Sequence, residues 1–177
     1  MPTAHAPRAG AGSQTGRNRQ SGASAPDAIR FLSDQHREVE DLFNEFEGLG
    51  EDGDPNQKEL IVRTACDKLT VHATVEEEIF YPAAREANDT ESLLNEADVE
   101  HESLRELIAK LDGMDASDEM FDAHFTVLAE YVKHHVKEEE GQLFPKVKKA
   151  KLSLDELGEE LAARTEELAQ GQAQEEQ

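Results

Sequence analysis

The chain has 177 residues, with 40 acids against 18 bases and a formal charge of −22. That length suits one domain with tails and is enough to bury a core. The acidity argues against a nucleic-acid surface, which needs a basic patch, and against an anionic membrane surface; solubility is its simplest consequence.

Aromatic residues make up 5% and Trp is absent, so a core must rest on Leu, Val, Ile, Ala and Phe. The first 25 residues, rich in Gly, Ala, Ser and Pro, carry Arg8, Arg17 and Arg19 and no acid. They read as a disordered tail. No apolar region follows the N-terminus, so no Sec signal is expected, and Arg17 and Arg19 are not adjacent as a twin-arginine signal requires. No run approaches the roughly 20 apolar residues of a membrane span. The single Cys66 excludes an internal disulfide and is consistent with a cytoplasmic location. It sits beside Ala65 and Leu69 on a predicted helix, as a small buried hydrophobe does.

From Asp27 the pattern is helical throughout. Ile29, Leu32, His36, Val39, Phe43 and Phe46 step by three and four and stop at GLGEDGDPN. A second helix spans about 56–85, its stripe being Ile61, Ala65, Leu69, His72, Glu76 and Ile79, with Pro82 a kink near its end. After NDT, where Asp89 or Thr90 is the expected cap, a third helix presents Leu94, Ala97, His101, Leu104, Ile108 and Leu111. After GMDASD a fourth presents Phe121, Phe125 (or His124), Leu128, Val132 (or Tyr131), His135, Glu139 and Leu143. Short connections make neighbours antiparallel, and no strand-like alternation appears. The expected fold class is all-α: an up-down-up-down antiparallel four-helix bundle over 26–150. An additional C-terminal helix is expected over 151–170, opened by the capping box SLDE, and a disordered tail over 171–177.

Polar residues stand on these apolar stripes. His36, His72, His101 and His135 fall on four different helices, and Glu76 and Glu139 lie one turn beyond His72 and His135. Residues four apart share a helical face, so each His–Glu pair aims at one point in the interior. A buried carboxylate is costly unless paired or bound to metal, and six such groups in one layer call for a cation. The chain also reads as a duplication. HATVEEEIFYP (72–82) matches HVKEEEGQLFP (135–145), and His36 to His101 spans 65 residues where His72 to His135 spans 63. Six donors exceed a tetrahedral zinc site. They suit two metals, each taking two His, with Glu76 and Glu139 bridging and positions left for a solvent bridge and a small exogenous ligand.

The words SDQHREVEDLFNEFE, HATVEEEIFYP, VEHESLRELIAKL and HHVKEEEGQLFPKV, in that order, resemble the hemerythrin-like, HHE cation-binding family over about 27–150. The resemblance implies a four-helix bundle holding two non-haem irons (Fe2+/Fe3+) with an oxo or hydroxo bridge. It also implies a small partner such as O2, H2O2 or NO. The classical oxygen carriers place a fifth His four residues after the third-helix His, where this chain has Arg105, and their last carboxylate falls at Glu140. Glu40, four after His36, and Tyr131, four before His135, are the candidates for an added ligand, against plain roles as a solvated residue and a packed aromatic.

His134 points about 100° from His135 and reads as a surface neighbour. His124 lies roughly 16 Å along the helix from His135, too far for the same metal. Glu77, Glu78, Glu138 and Glu140 read as solvated charge runs, with Glu77 and Glu140 also candidates for hydrogen-bond acceptors behind the ligands. An open iron beside a second redox metal permits two-electron chemistry, which favours catalase-like peroxide decomposition. A sensor or iron-handling protein without turnover is the alternative.

Overall fold

The structure is a computed structural model describing residues 26–175. The expected tail over 1–25 and the last two residues lie outside the described residues. The elements are α1 (Ala28–Leu49), α2 (Pro55–Val75), a π turn π1 (Glu76–Phe80), α3 (Tyr81–Ala84), α4 (Glu91–Asp112), α5 (Phe121–Glu138), a second π turn π2 (Glu139–Leu143), α6 (Phe144–Lys149) and α7 (Leu154–Glu175). No strand occurs among the described residues.

Helices α1, α2, α4 and α5 close a four-membered ring: α1 packs on α2, α2 on α4, α4 on α5 and α5 on α1. This is the antiparallel bundle. Asp27 starts α1 by accepting from the Arg30 amide at 3.1 Å, and Asp54 starts α2 by accepting from the Asn56 amide at 2.9 Å, with Pro55 in the first turn. At α4 the expected capping does not occur. Asp89 takes a left-handed backbone (φ 60), and the Thr90 hydroxyl donates backwards to the carbonyls of Ala84 (2.9 Å) and Ala87 (3.0 Å). It closes the end of α3, where the carbonyls have lost their helical partners.

The two π turns replace the expected kink. Pro82 and Pro145 lack an N–H, so the α ladder loses a bond just ahead of each. The chain re-registers one residue wider: the Tyr81 amide bonds the Glu76 carbonyl and the Phe144 amide bonds the Glu139 carbonyl, each five residues back. Both helices then continue as α3 and α6. A residue five positions on now lies over the first, which brings Tyr81 above Glu76 and Phe144 above Glu139.

The core comes in two parts. One contains Val39, Phe43, Phe46, Ile61, Ala65, Leu69, Leu104, Ile108, Phe121, Phe125 and Leu128; the other contains Ile29, Leu32, Val75, Phe80, Tyr81, Leu94, Ala97, Leu143, Phe144 and Leu161. In each of the four bundle helices, with π2 and α6 continuing α5, the buried His falls between a residue of the first part and one of the second, so the polar layer divides the core. Cys66 is buried in the first part, and burial pushes its thiol up to about 12, which leaves it an inert apolar group.

Helix α7 lies against α1, α2 and π1. Leu161 is fully buried in the second core, and Arg164 reaches Glu78 at 2.8 Å, so Glu78 is paired rather than simply solvated. Gly158 passes so close to the start of α1 that a Cβ there would meet the Pro26 carbonyl oxygen at 2.1 Å. Only glycine allows that approach. The expected helix end at residue 170 falls inside α7, which runs on to Glu175: Ala, Gln and Glu are good helix formers, and Gly171 costs only about 1 kcal/mol against Ala.

Candidate metal centre

The bundle brings His36, His72, Glu76, His101, His135 and Glu139 together, all buried. Their atoms form two groups within 4.8 Å: His36, His72, Glu76 and Glu139 in one, Glu76, His101 and His135 in the other. Within each group the two Nε2 atoms face each other, at 3.1 Å for His36–His72 and 3.2 Å for His101–His135. The carboxylates lie between the groups. Glu76 Oε2 is 3.2 Å from His72 Nε2 and 3.5 Å from His101 Nε2; Glu139 Oε2 is 3.3 Å from His36 Nε2 and 3.6 Å from His135 Nε2.

Two buried carboxylate oxygens, Glu76 Oε1 and Glu139 Oε2, have no hydrogen-bond partner. Native structures leave very few such atoms orphaned. Converging imidazole nitrogens and orphaned carboxylate oxygens in one dry layer are a donor set with its acceptor atoms turned inward, and they fit cations.

The outward nitrogens fix that orientation. Each Nδ1 meets a side-chain oxygen: Glu140 for His36 (3.0 Å), Gln35 for His72 (2.8 Å), Glu77 for His101 (2.9 Å) and Glu100 for His135 (2.6 Å). A partner on Nδ1–H leaves the Nε2 lone pair free for a metal.

The family description "Hemerythrin HHE cation binding domain" matches residues 27–147. The chain belongs to this family. In three dimensions the HHE chain is similar to a hemerythrin HHE cation binding domain-containing protein from Mycobacterium kansasii, with a TM-score of 0.67, 23% identity and coverage of 81% of this chain and 87% of that one. At that identity the likeness concerns the fold. Among curated proteins it is similar to a DNA nickase from Nostoc sp., 30% identical over 125 residues. The match covers 69% of this chain, and the chain spans about one third of that relative's length.

Arg105 is exposed and outside the layer. It bonds Glu77 at 2.5 Å, and so braces the acceptor of His101 instead of supplying a ligand. Glu40 is exposed and Tyr131 half-buried, and neither joins the two groups: Glu40 is turned out beyond the stripe of α1, and Tyr131 sits a full turn from His135 toward the other core. The buried phenol at the layer is Tyr81. Its hydroxyl donates to Glu139 Oε1 at 2.9 Å and lies 3.3 Å from His101 Nε2 and 3.4 Å from Glu76 Oε2. Its ring stacks on His101, as that of Phe144 stacks on His36. Sequence reasoning missed Tyr81, Gln35 and Glu100. The signal for the last two was in the duplication, since each precedes a layer histidine. His134 is exposed and forms a surface grouping with Glu100 and Glu138, and His124 bonds the Met120 carbonyl at 2.8 Å.

Burial, and then the neighbouring Glu139, hold the Glu76 carboxyl well above the usual carboxylate range. Burial acts on Glu139 in the same sense but is outweighed by His135 and His36, which hold it low. Burial lowers His72 and His101, each also disfavoured by its paired His. On His135 burial is outweighed by Glu139 and Glu100, which raise it. The cation-free layer therefore keeps protons on Glu76 and His135 at pH values where ordinary groups release them. A cation needs a bare carboxylate and a free Nε2, so binding expels these protons and weakens as pH falls. Calorimetric titration with Zn2+ or Fe2+ in buffers of different ionisation enthalpy should show net proton release near neutral pH. Binding without proton exchange would contradict this assignment of charges.

Proposed function

We propose that the chain is a non-haem di-iron protein of the HHE family that decomposes peroxide in a catalase-like reaction, two H2O2 yielding two H2O and O2. The observation that carries the reading is the pair of two-His groups with Glu76 common to both and Glu139 lying between His36 and His135. His36 and His72 would hold one iron, His101 and His135 the other, and Glu76 and Glu139 would bridge them. When bound, two adjacent redox-active irons supply two-electron chemistry toward O2, H2O2 or NO.

The chain's own residues do the rest. Glu140, Gln35, Glu77 and Glu100 orient the imidazoles. Phe80, Leu143, Phe144, Leu104 and Val132 close the layer off from water on both sides, which strengthens every electrostatic interaction inside. The Tyr81 hydroxyl holds a proton 2.9 Å from Glu139. A water-sized cavity of about 10 Å3, lined by Leu93, Ala97, Glu100, His135, Glu138, Glu139 and Leu143, reaches the layer from between α4 and α5. It has room for about one water molecule. That same tight enclosure favours the second reading, an iron or oxygen sensor, or an iron-handling protein, without turnover.

No helix among the described residues is long and apolar enough to cross a membrane. We place the protein in the cytoplasm, with neither nucleic acid nor membrane as partner. The nickase activity belongs to the much longer Nostoc protein, and a charge of −22 offers no footing on a phosphate backbone. Oxygen evolution from added H2O2 by the iron-loaded chain tests the reading. Turnover that disappears with the iron supports it; iron retained without oxygen evolution selects the sensor or iron-handling role.

A further inference from the structure

The duplication relates the two halves residue by residue, and the halves differ on the outer side of the layer. The offsets that carry His36 to His101 and His72 to His135 also carry Gln35 to Glu100, Val71 to His134 and Val75 to Glu138. In the first half these places hold a neutral amide and two buried apolar side chains, and Gln35 and Val71 line a cavity together with Thr165 and Ala169 of α7. In the second half all three are ionisable metal donors, and they converge.

Glu100, His134 and Glu138 each bring one ligand atom within 4.8 Å of the others. His134 Nε2 is 4.0 Å from Glu100 Oε1 and 3.8 Å from Glu138 Oε1. Neither separation is a hydrogen bond, so the three groups leave space between them instead of closing on one another. Donors about 2.1 Å from one cation lie roughly 3 Å apart when cis and roughly 4.2 Å apart when trans, which spans both distances. The His134 side chain is 63% exposed and that of Glu100 only 13%, so the grouping runs from solvent toward the interior.

Two features continue it inward. Glu100 Oε2 meets His135 Nδ1 at 2.6 Å, so one carboxylate faces the surface grouping with one oxygen and the layer with the other. Glu100 and Glu138 also line the water-sized cavity between α4 and α5, whose walls include His135 and Glu139. The Glu139 side chain is 3% exposed, and its Oε2 has no hydrogen-bond partner. Three open donors at the surface and an unpartnered buried carboxylate thus share one passage.

Taking its destination from the di-iron reading above, we propose that Glu100, His134 and Glu138 form an entry site for a divalent cation, from which Fe2+ passes between α4 and α5 by way of Glu138 and Glu139 into the layer. One imidazole with two carboxylates suits Fe2+, Co2+ or Zn2+ better than Mg2+ or Ca2+. Three protein donors leave the rest of the coordination sphere to water, which keeps the cation exchangeable. Passage exchanges His134 and water for Glu139; only metal–ligand bonds break and form, and no electron is transferred. The first half has no counterpart, since Val71 and Val75 offer no ligand atom, so loading proceeds from the α4–α5 side.

Co2+ absorption reads the site, and the rate of anaerobic Fe2+ loading reads its role. In Glu76→Leu, Co2+ should still bind exchangeably at one per chain, and adding His134→Ala should abolish that binding. In the otherwise unaltered chain, His134→Ala and Glu138→Gln should each slow Fe2+ loading about 10-fold, the lower end of what a focusing cluster of charge contributes, with the final iron content unchanged. His124→Ala, at an exposed histidine elsewhere on α5, should leave the rate as it is. The loading rates decide the matter even if Glu76→Leu folds poorly. Co2+ binding in Glu76→Leu that ignores His134, or loading at the wild-type rate in His134→Ala, would overturn the entry site while leaving the di-iron centre intact. A wild type that takes up no iron pair would overturn the centre itself, whatever Co2+ does at His134.

Discussion

Replacing Glu76 with leucine abolishes metal binding in both halves at once, and leaves the metal-free chain more stable than the metal-free wild type. Glu76 is the carboxylate common to both groups, 3.2 Å from His72 Nε2 and 3.5 Å from His101 Nε2. Substitutions just behind a metal ligand already cost about 10–100-fold in affinity, so removing a bridging ligand costs more than about 100-fold. Stability moves the other way. Glu76 is fully buried between Val75 and Phe80, its Oε1 has no partner, and burial keeps it protonated. An unsatisfied buried polar group costs about 1–3 kcal/mol, which leucine of similar volume removes. For a chain of this size that is a rise of roughly 5 °C in the melting temperature of the metal-free state. Calorimetry and metal analysis on the same samples check both halves of the prediction. If the variant keeps one tightly held metal, Glu76 is not shared between the two groups.

Stripping metal from the wild type with a chelator lowers its melting temperature by roughly 10 °C. The unfolded chain does not hold six donors in one layer, so binding free energy is folding free energy. At free metal about 1,000 times the dissociation constant the stabilisation is about 4 kcal/mol. The loss has a structural location. His36, His72, His101 and His135 sit between the two cores, so an empty layer weakens the junction of both with the four long helices. Hydrogen exchange should accelerate first near residues 72–76 and 135–139, ahead of the apolar end around Phe125. A uniform change, or none, would mean that the layer is rigid without metal.

Much of this was legible in the sequence because the layer violates the apolar stripe. A histidine at each of positions 36, 72, 101 and 135, where Leu or Val would sit, reports burial and chemistry together. The ring of four helices followed from the same periodicity. What stayed hidden needed a change of register or a second helix. Counted at 100° per residue, Tyr81 falls about 140° from Glu76 and belongs to another face. The π turn ahead of Pro82 moves it into the layer, and the sequence marks that proline without saying whether the helix kinks or widens. Gln35 and Glu100 escape for a different reason: each lies beside a histidine of its own helix but bonds one on a neighbouring helix. The docking of α7 turns on Gly158, whose missing Cβ matters only because Pro26 is across from it.

The most direct test is the metal content of the chain purified without chelators and reconstituted anaerobically with Fe2+. The account predicts two irons per chain, both lost together in Glu76→Leu. A single tightly held zinc per chain, with no uptake of a second metal, would contradict it.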